Sequence, residues 1–241
     1  MYKGKKLAIM QPYFFPYVGY FSLMHYADAF ILFDTVEYDR KGWMNRNRIL
    51  KPGGEDWQYI RAGIKKPHYK ALINDVKLVH GEEWKNKLIR QLEHYKKIAP
   101  YYEETMDLIR ESLPMRATTL TELNRNSLVL MKDYLNIECP ISVFSEMNID
   151  IPEAEHPGQW ALLICDALKV REYVNPIGGK SIFRKEEFSE KGIKIGFIKN
   201  GLSEYNQKNS QFIEGLSIID ILMFNSKEQA IRLIKDYEVF K

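Results

Sequence analysis

Two unbroken apolar runs, Leu7–Met10 and Ala29–Phe33, stand one short helix apart near the start of the chain. Neither alternates with polar residues, so each reads as a strand buried on both faces. Between them Pro12 and Pro16 break the first run, Gly19 gives the turn, and Tyr20–Tyr26 reads as a short helix with Phe21, Leu23 and Met24 available for packing. A parallel strand pair needs a crossover of this size, so the segment predicts a parallel strand–helix–strand unit. The second run ends on a carboxylate, Asp34.

The length of 241 residues allows one large domain or two tightly joined halves. With 45% hydrophobic and 28% charged residues, the chain is excluded from the disordered and collagen-like classes. A net charge of +3 does not suggest a nucleic-acid binder. Fifteen Tyr and twelve Phe are many, and they fit either a core or a polar-ligand pocket, because tyrosine also needs a hydroxyl partner. Cys139 and Cys165 cannot make a disulfide framework. Lys3, Lys5 and Lys6 precede only Leu7–Met10 before the polar Gln11, so neither a signal peptide nor a membrane span is expected. A soluble cytoplasmic protein without membrane insertion is the expectation.

Further along, Arg40–Arg48 reads as polar and irregular, and Trp57–Ile64 and Ile73–Val79 as extended. A helical stretch follows, about residues 82–138. Its first helix carries Trp84, Leu88 and Leu92 at spacings of four, its second begins near Pro100, and its third follows a capped start at Thr118–Glu122. After Pro140 the alternation returns, with strands at Ile141–Phe144, Val170–Val174 and Ile193–Ile198 and helices at Trp160–Leu168 and Lys185–Lys191; the residues from Ser217 onward read as helical. The prediction is one α/β domain over 1–241, with a mostly parallel sheet built from both ends of the chain around a helical insertion. Ligands in such sheets collect at the carboxyl ends of the strands, here the loops after Met10, Phe33, Phe144 and Val174.

Gln11–Tyr20 follows the first strand, and a Gly at a helix start lets backbone N–H groups approach an anion. This loop resembles that of the nucleotidylyltransferase and class I synthetase superfamily, where a Gly-His pair opens the helix; here the pair is Gly19-Tyr20. Asp34 can hold a ribose hydroxyl, a substrate amine or a metal, or serve as a cap or salt-bridge partner, and His25, close to the first loop, is a candidate acid/base. His94 reads as solvated on its helix, and the five histidines show no metal spacing, so no metal is expected. Lys41, Trp43, Asn45, Arg46, Asn47 and Arg48 form the densest polar cluster, suited to phosphate and sugar recognition. Lys65-Lys66 is a lesser basic pair. Asn175, Gly178, Gly179 and Lys180 make a permissive loop after a strand. Tyr205 and Gln207 lie in a polar loop, and Asp220 sits among apolar helix residues, where it needs a partner and can pin the Arg46/Arg48 cluster. Cys165 reads as a small core residue.

Four strings, Gln11–Tyr20, Lys41–Ile49, Tyr173–Gly179 and Leu216–Asn225, closely resemble the WbqC-like family of bacterial surface-polysaccharide gene clusters. The resemblance spans essentially the whole chain and implies a Rossmann-like, nucleotidylyltransferase-type fold. The substrate-binding candidates within those strings are Gln11, Pro12, Gly19, Tyr20, Lys41, Trp43, Asn45–Arg48, Asn175, Gly178, Gly179, Asp220 and Asn225; the reading of the residues adds Tyr205 and Gln207, and gives Asp34 or His25 as base. The activity the resemblance implies is transfer of an acyl or aminoacyl group, glycyl among them, to the amine of a nucleotide-linked amino sugar during O-antigen synthesis. Acyl-CoA, aminoacyl-tRNA or ATP would supply or activate the donor. The alternatives are a non-catalytic nucleotide-sugar binding protein and a nucleotidylyltransferase-like enzyme.

Overall fold

The computed structural model describes residues 2–113, 116–209 and 211–241. The first strand, β1 (Lys6–Met10), turns Ala8 to one side and Leu7 and Ile9 to the other. After α1 (Val18–Tyr26), β2 (Ala29–Leu32) divides in the same way, Phe30 and Leu32 against Ala29 and Ile31. The two strands pair in parallel with Leu7 opposite Ala29. Helices cover both faces, which is why no polar alternation appears in either run.

The long connection after β2 holds a hairpin of β3 (Arg46–Leu50) and β4 (Trp57–Arg61), followed by α2 (Glu83–Leu92), α3 (Tyr102–Ser112) and α4 (Leu120–Tyr134). Thr119 caps α4: its hydroxyl accepts the Glu122 amide, and the Glu122 carboxylate accepts the Thr119 amide in return. The chain then returns to the sheet as β5 (Ile141–Val143), α5 (Gln159–Ala167), β6 (Glu172–Pro176), α6 (Lys185–Glu190) and β7 (Lys194–Asn200). It ends with α7 (Ile218–Phe224), α8 (Lys227–Lys235) and β8 (Tyr237–Phe240).

The six-stranded sheet runs β5-β2-β1-β6-β7-β8, parallel except for β8, which pairs antiparallel with β7. Residues of α1, α3, α4, α7 and α8 share one core with Ala8, Phe30 and Val174, whereas α5 and α6 pack on the other face with Leu7, Ile31 and Tyr173. The chain therefore winds outward from β1 in both directions, and its switch point falls between β1 and β6. This is a Rossmann-like α/β fold, as the sequence predicts.

Four local expectations are corrected. Arg46–Leu50 is a strand, not an irregular segment: Arg46 and Arg48 face outward and Asn47 and Ile49 inward, and a polar residue at an inward position hides the alternation. Ile73–Val79 is a 3-10 turn at Ile73–Asp75 with isolated bridges beyond it, not a strand. Tyr237–Phe240, within the expected helical tail, forms β8, in keeping with its alternating Tyr-Glu-Val-Phe. Gly19 lies inside the first turn of α1, after the N-cap Tyr17, and does not make the turn.

Candidate active-site cleft

The loop after β1 is held by side chains from three distant segments. The Asn47 amide donates to the carbonyls of Phe14 and Phe15 at 3.1 and 2.9 Å, and the Ser217 hydroxyl donates to Phe15 at 2.7 Å. Asn124 donates to the carbonyls of Pro12 and Met44, both at 2.8 Å. These bonds fix Phe15 at φ 40°, a left-handed conformation that is uncommon for a non-glycine residue. The fully buried Tyr20 donates its hydroxyl to the Gln11 carbonyl at 2.9 Å and packs at a tilt against Phe30. Gly19 leaves room for the Tyr17 ring, because a Cβ there would stand 2.5 Å from that ring. Tyr13 and Tyr17 thereby become one wall of a cleft, and burial raises the pKa of both phenols, so they remain neutral hydrogen-bonding groups.

The cleft encloses about 1060 Å³ at the carboxyl ends of β1, β2 and β6, directly over the switch point. Its floor is Ile9, Met10, Gln11 and Phe33. The hairpin side contributes Trp43, Asn47 and Arg48, joined by Glu214 and Gly215. From the other face of the sheet come His156, Trp160, Asn175, Gly178, Gly179 and Phe183. Gly179 is needed there: a Cβ would meet the Asn175 amide nitrogen at 2.4 Å. Asn175 is set in turn by the Tyr173 hydroxyl, which donates to its side-chain oxygen at 2.9 Å.

Arg48 is the cation of the hairpin side. Its guanidinium carbon lies 5.6 Å from the Trp43 ring centre and 5.3 Å from that of Trp57, and Nη2 donates to the Gly215 carbonyl at 3.1 Å. Its Nε is buried without a hydrogen-bond partner, and no carboxylate of the described residues lies within ion-pair distance of it. A guanidinium stacked between indoles, with donors to spare, is a ready receptor for a phosphate or carboxylate.

Also lining the cleft, His156 directs its Nε2–H at Glu187, whose two carboxylate oxygens accept at 3.0 and 2.9 Å. Arg184 also reaches Glu187 at 3.2 Å, and hydrogen bonds from His156 and Arg184 hold that carboxyl below its ordinary range although burial opposes them. With Nε2–H directed at the carboxylate, Nδ1 is the nitrogen left for a bound molecule. No spacing signal marks this pair, because the two residues are 31 positions apart. Three carboxylates, Glu37, Glu155 and Glu214, also line the cleft.

Of the expected site residues, Gln11, Trp43, Asn47, Arg48, Asn175, Gly178 and Gly179 meet in the cleft; the others do not line it. Asp34 is fully buried at the end of β2 and accepts the Ser145 amide at 3.1 Å and hydroxyl at 2.8 Å, which ties β2 to the end of β5. His25 bonds Tyr237 at 3.0 Å, near the amino-terminal side of β8. Neither is placed to act as a base on a molecule in the cleft. Pro12 offers its carbonyl to Asn124, and the Asn45 carbonyl accepts the Ala62 amide. Arg46 donates to the carbonyls of Gly42 and Lys41 and so curls the exposed loop containing Lys41. Asn225 donates to the Ile221 carbonyl at the end of α7.

Asp220 does not pin the arginines. Its buried carboxylate accepts the hydroxyls of Tyr95 and Tyr205, each at 2.5 Å, and the Gln207 amide at 3.0 Å. Burial nevertheless raises its pKa to about 6 against those bonds. Through Tyr205 and Gln207 it secures the segment that leads to Gly215, the acceptor of Arg48. His94 is half-buried rather than solvated, with Nδ1 on the Gln91 carbonyl at 2.9 Å. Cys139 and Cys165 are buried free thiols, their pKa values pushed up by burial, that of Cys139 to about 12. No cluster of His, Cys, Asp and Glu among the described residues could hold a metal ion, and none of their helices is long and apolar enough to cross a membrane.

Comparison with known proteins agrees in extent with the strings that frame the cleft. The chain is 28% identical over 228 residues to the uncharacterized protein Rv1507c of Mycobacterium tuberculosis (strain ATCC 25618 / H37Rv), which covers 94% of this chain and 96% of that protein. No solved structure matches. The model of the WbqC-like protein family matches residues 11–232, from Gln11 at the floor of the cleft to Arg232 on α8, so the chain belongs to that family.

Proposed function

We propose that the cleft binds a nucleotide-linked amino sugar in the cytoplasm and transfers an acyl or aminoacyl group, glycyl among them, to the sugar's amine, as a step in bacterial surface-polysaccharide synthesis. The observation that carries the reading is Arg48, a guanidinium beside two indoles at the switch point of a Rossmann-like sheet, with no carboxylate of the described residues within ion-pair distance. The diphosphate lies against it. Glu37, Glu155 and Glu214 supply negative charge to attract the sugar ammonium.

Only the free amine attacks an acyl carbon. His156, held by Glu187, takes the ammonium proton on Nδ1 and passes it to solvent; as the amine nitrogen bonds to the acyl carbonyl carbon, Nδ1 takes the second proton that this nitrogen must lose to become an amide. Collapse breaks the bond from that carbon to the oxygen or sulfur of the donor, and the departing group takes the proton back from His156. The C–N bond formed and the C–O or C–S bond broken balance without any redox partner. General-base assistance of this kind contributes about 10²–10⁴ in rate. The protein is incubated with a nucleotide-linked amino sugar and, in turn, acyl-CoA, aminoacyl-tRNA, or an amino acid with ATP, and products are weighed by mass spectrometry. An amide product with one donor class is expected. A sugar nucleotide that binds but is acylated with no donor overturns transfer and leaves a binding protein.

A further inference from the structure

The charge of the chain is unevenly placed. Residues 40–70 carry nine Lys and Arg against Glu55 and Asp56, a surplus of seven in a chain whose total is +3, so the remaining residues sum to −4. This segment is the hairpin and its flanks. Within the hairpin, Arg46 stands directly opposite Arg61 and Arg48 opposite Tyr59 in the antiparallel register. Like charges placed opposite each other are destabilising unless something compensates. No described carboxylate lies within ion-pair distance of any of the three guanidiniums, and the exposed Arg61 guanidinium makes no hydrogen bond to a described residue. Asp56, the nearest acid in sequence to β4, is engaged by Lys51 at 2.7 Å, and Asp39 accepts the Lys41 amide at 2.8 Å.

Aromatic rings alternate with these cations. Arg46 and Arg61 lie 4.6 and 4.8 Å from the centre of the Tyr59 ring, and Trp57 packs edge-on to Tyr59 at 4.8 Å. Trp43, 6.4 Å from Tyr59, is shared with the cleft, as is Arg48. Side chains two residues apart on one strand face are spaced by about 6.6 Å. Arg46 and Arg48 at that interval on β3, with Arg61 beside Arg46 on β4 and rings between them, suit a flexible chain of phosphates with bases free to stack. An acidic peptide offers charges but no bases for the rings to stack on, and a base-paired duplex hides the faces the rings would take.

We infer that the outer face of the β3–β4 hairpin holds single-stranded RNA, with its 3′ end directed past Trp43 and Arg48 into the cleft. The inference rests on the proposed transfer reaction in one respect: it makes an RNA-borne aminoacyl ester the donor, whose ester C–O bond is the one broken and whose ribose hydroxyl leaves with the proton. The modest net charge, which by itself speaks against nucleic acid, is the sum of this basic face and an acidic remainder.

The test uses the full chain and a dye-labelled single-stranded RNA of a dozen nucleotides, read by fluorescence anisotropy. With three phosphate contacts the logarithmic salt slope is about −2, so binding weakens about twentyfold between about 50 and 200 mM salt. The Arg46→Gln/Arg61→Gln double variant should bring the slope to about −0.7. Tyr59→Ala should weaken binding about tenfold or more with the slope retained. Arg61→Gln alone should leave sugar-nucleotide affinity unchanged, which separates this site from the cleft and reports on folding. A photoreactive 3′-terminal nucleotide should crosslink to peptides lining the cleft. No binding at low salt, equal binding by the double variant, equally tight duplex RNA, or crosslinks confined to residues beyond Arg61 overturns the inference. RNA binding without sugar-nucleotide binding instead upholds the hairpin site and sinks the proposed reaction.

Discussion

Asp220→Asn removes a fully buried carboxylate, and its effect can be worked from the structure. The native carboxyl titrates near pH 6, against 3.8 for an unperturbed one, because burial outweighs the bonds from Tyr205, Tyr95 and Gln207. Between these values the folded chain holds a proton that the unfolded chain has released. Stability therefore falls as pH rises through this window, by about 1.4 kcal/mol per pH unit, and levels off above it. The whole window amounts to about 3 kcal/mol. Asparagine does not titrate, so the effect appears in the difference between wild type and variant, where other groups cancel. Among those are Asp56 and Asp166, held below the usual carboxylate range by hydrogen bonds from Lys51 and Lys191, which act at more acid pH. Urea unfolding at a series of pH values should show wild type losing about 3 kcal/mol relative to the variant between pH 4 and 7. A difference that stays constant, or that grows with pH in favour of wild type, refutes the reasoning.

Asn47→Ala should lower stability by about 2 kcal/mol, because it strips the Phe14 and Phe15 carbonyls of a buried donor, and thermal unfolding checks this. His156→Gln should reduce turnover by about 10²–10⁴ and leave sugar-nucleotide affinity within a few-fold, which steady-state kinetics beside calorimetry reads directly. Glu187→Gln should act in the same direction with a smaller loss in kcat and little change in KM. Gly179→Ala forces a Cβ to within 2.4 Å of the Asn175 amide, so affinity in the cleft should fall while the far-ultraviolet circular dichroism spectrum stays native.

What was legible in the sequence follows from how local each signal is. The β1–α1–β2 unit showed because two strands buried on both faces leave runs with no polar interruption. The α4 cap showed because Thr119 and Glu122 signal it within one turn. Arg48 and Asn175 showed because polar residues clustered after or within extended segments. Asp220 showed only as a buried charge in need of a partner, since the Tyr95 that satisfies it lies 125 residues away. The same distance problem concealed His156 with Glu187. Asp34 misled for the opposite reason: a carboxylate at a strand's carboxyl end looks functional until Ser145, from the neighbouring strand's end, is seen to take both its oxygens. The conspicuous aromatics after β1 divided between two tasks, Tyr13 and Tyr17 in the cleft wall and Phe14, Phe15 and Tyr20 in the core beneath.

The central claim is that Arg48 receives the phosphates of a nucleotide-linked amino sugar in the switch-point cleft. Isothermal titration calorimetry of such a ligand into wild type and Arg48→Gln tests it most directly. The account predicts one-to-one binding by wild type and an affinity lower by about tenfold to a hundredfold in the variant, the loss of a charge-assisted hydrogen-bonding group. Absence of binding by wild type, or equal affinity in the two proteins, contradicts it.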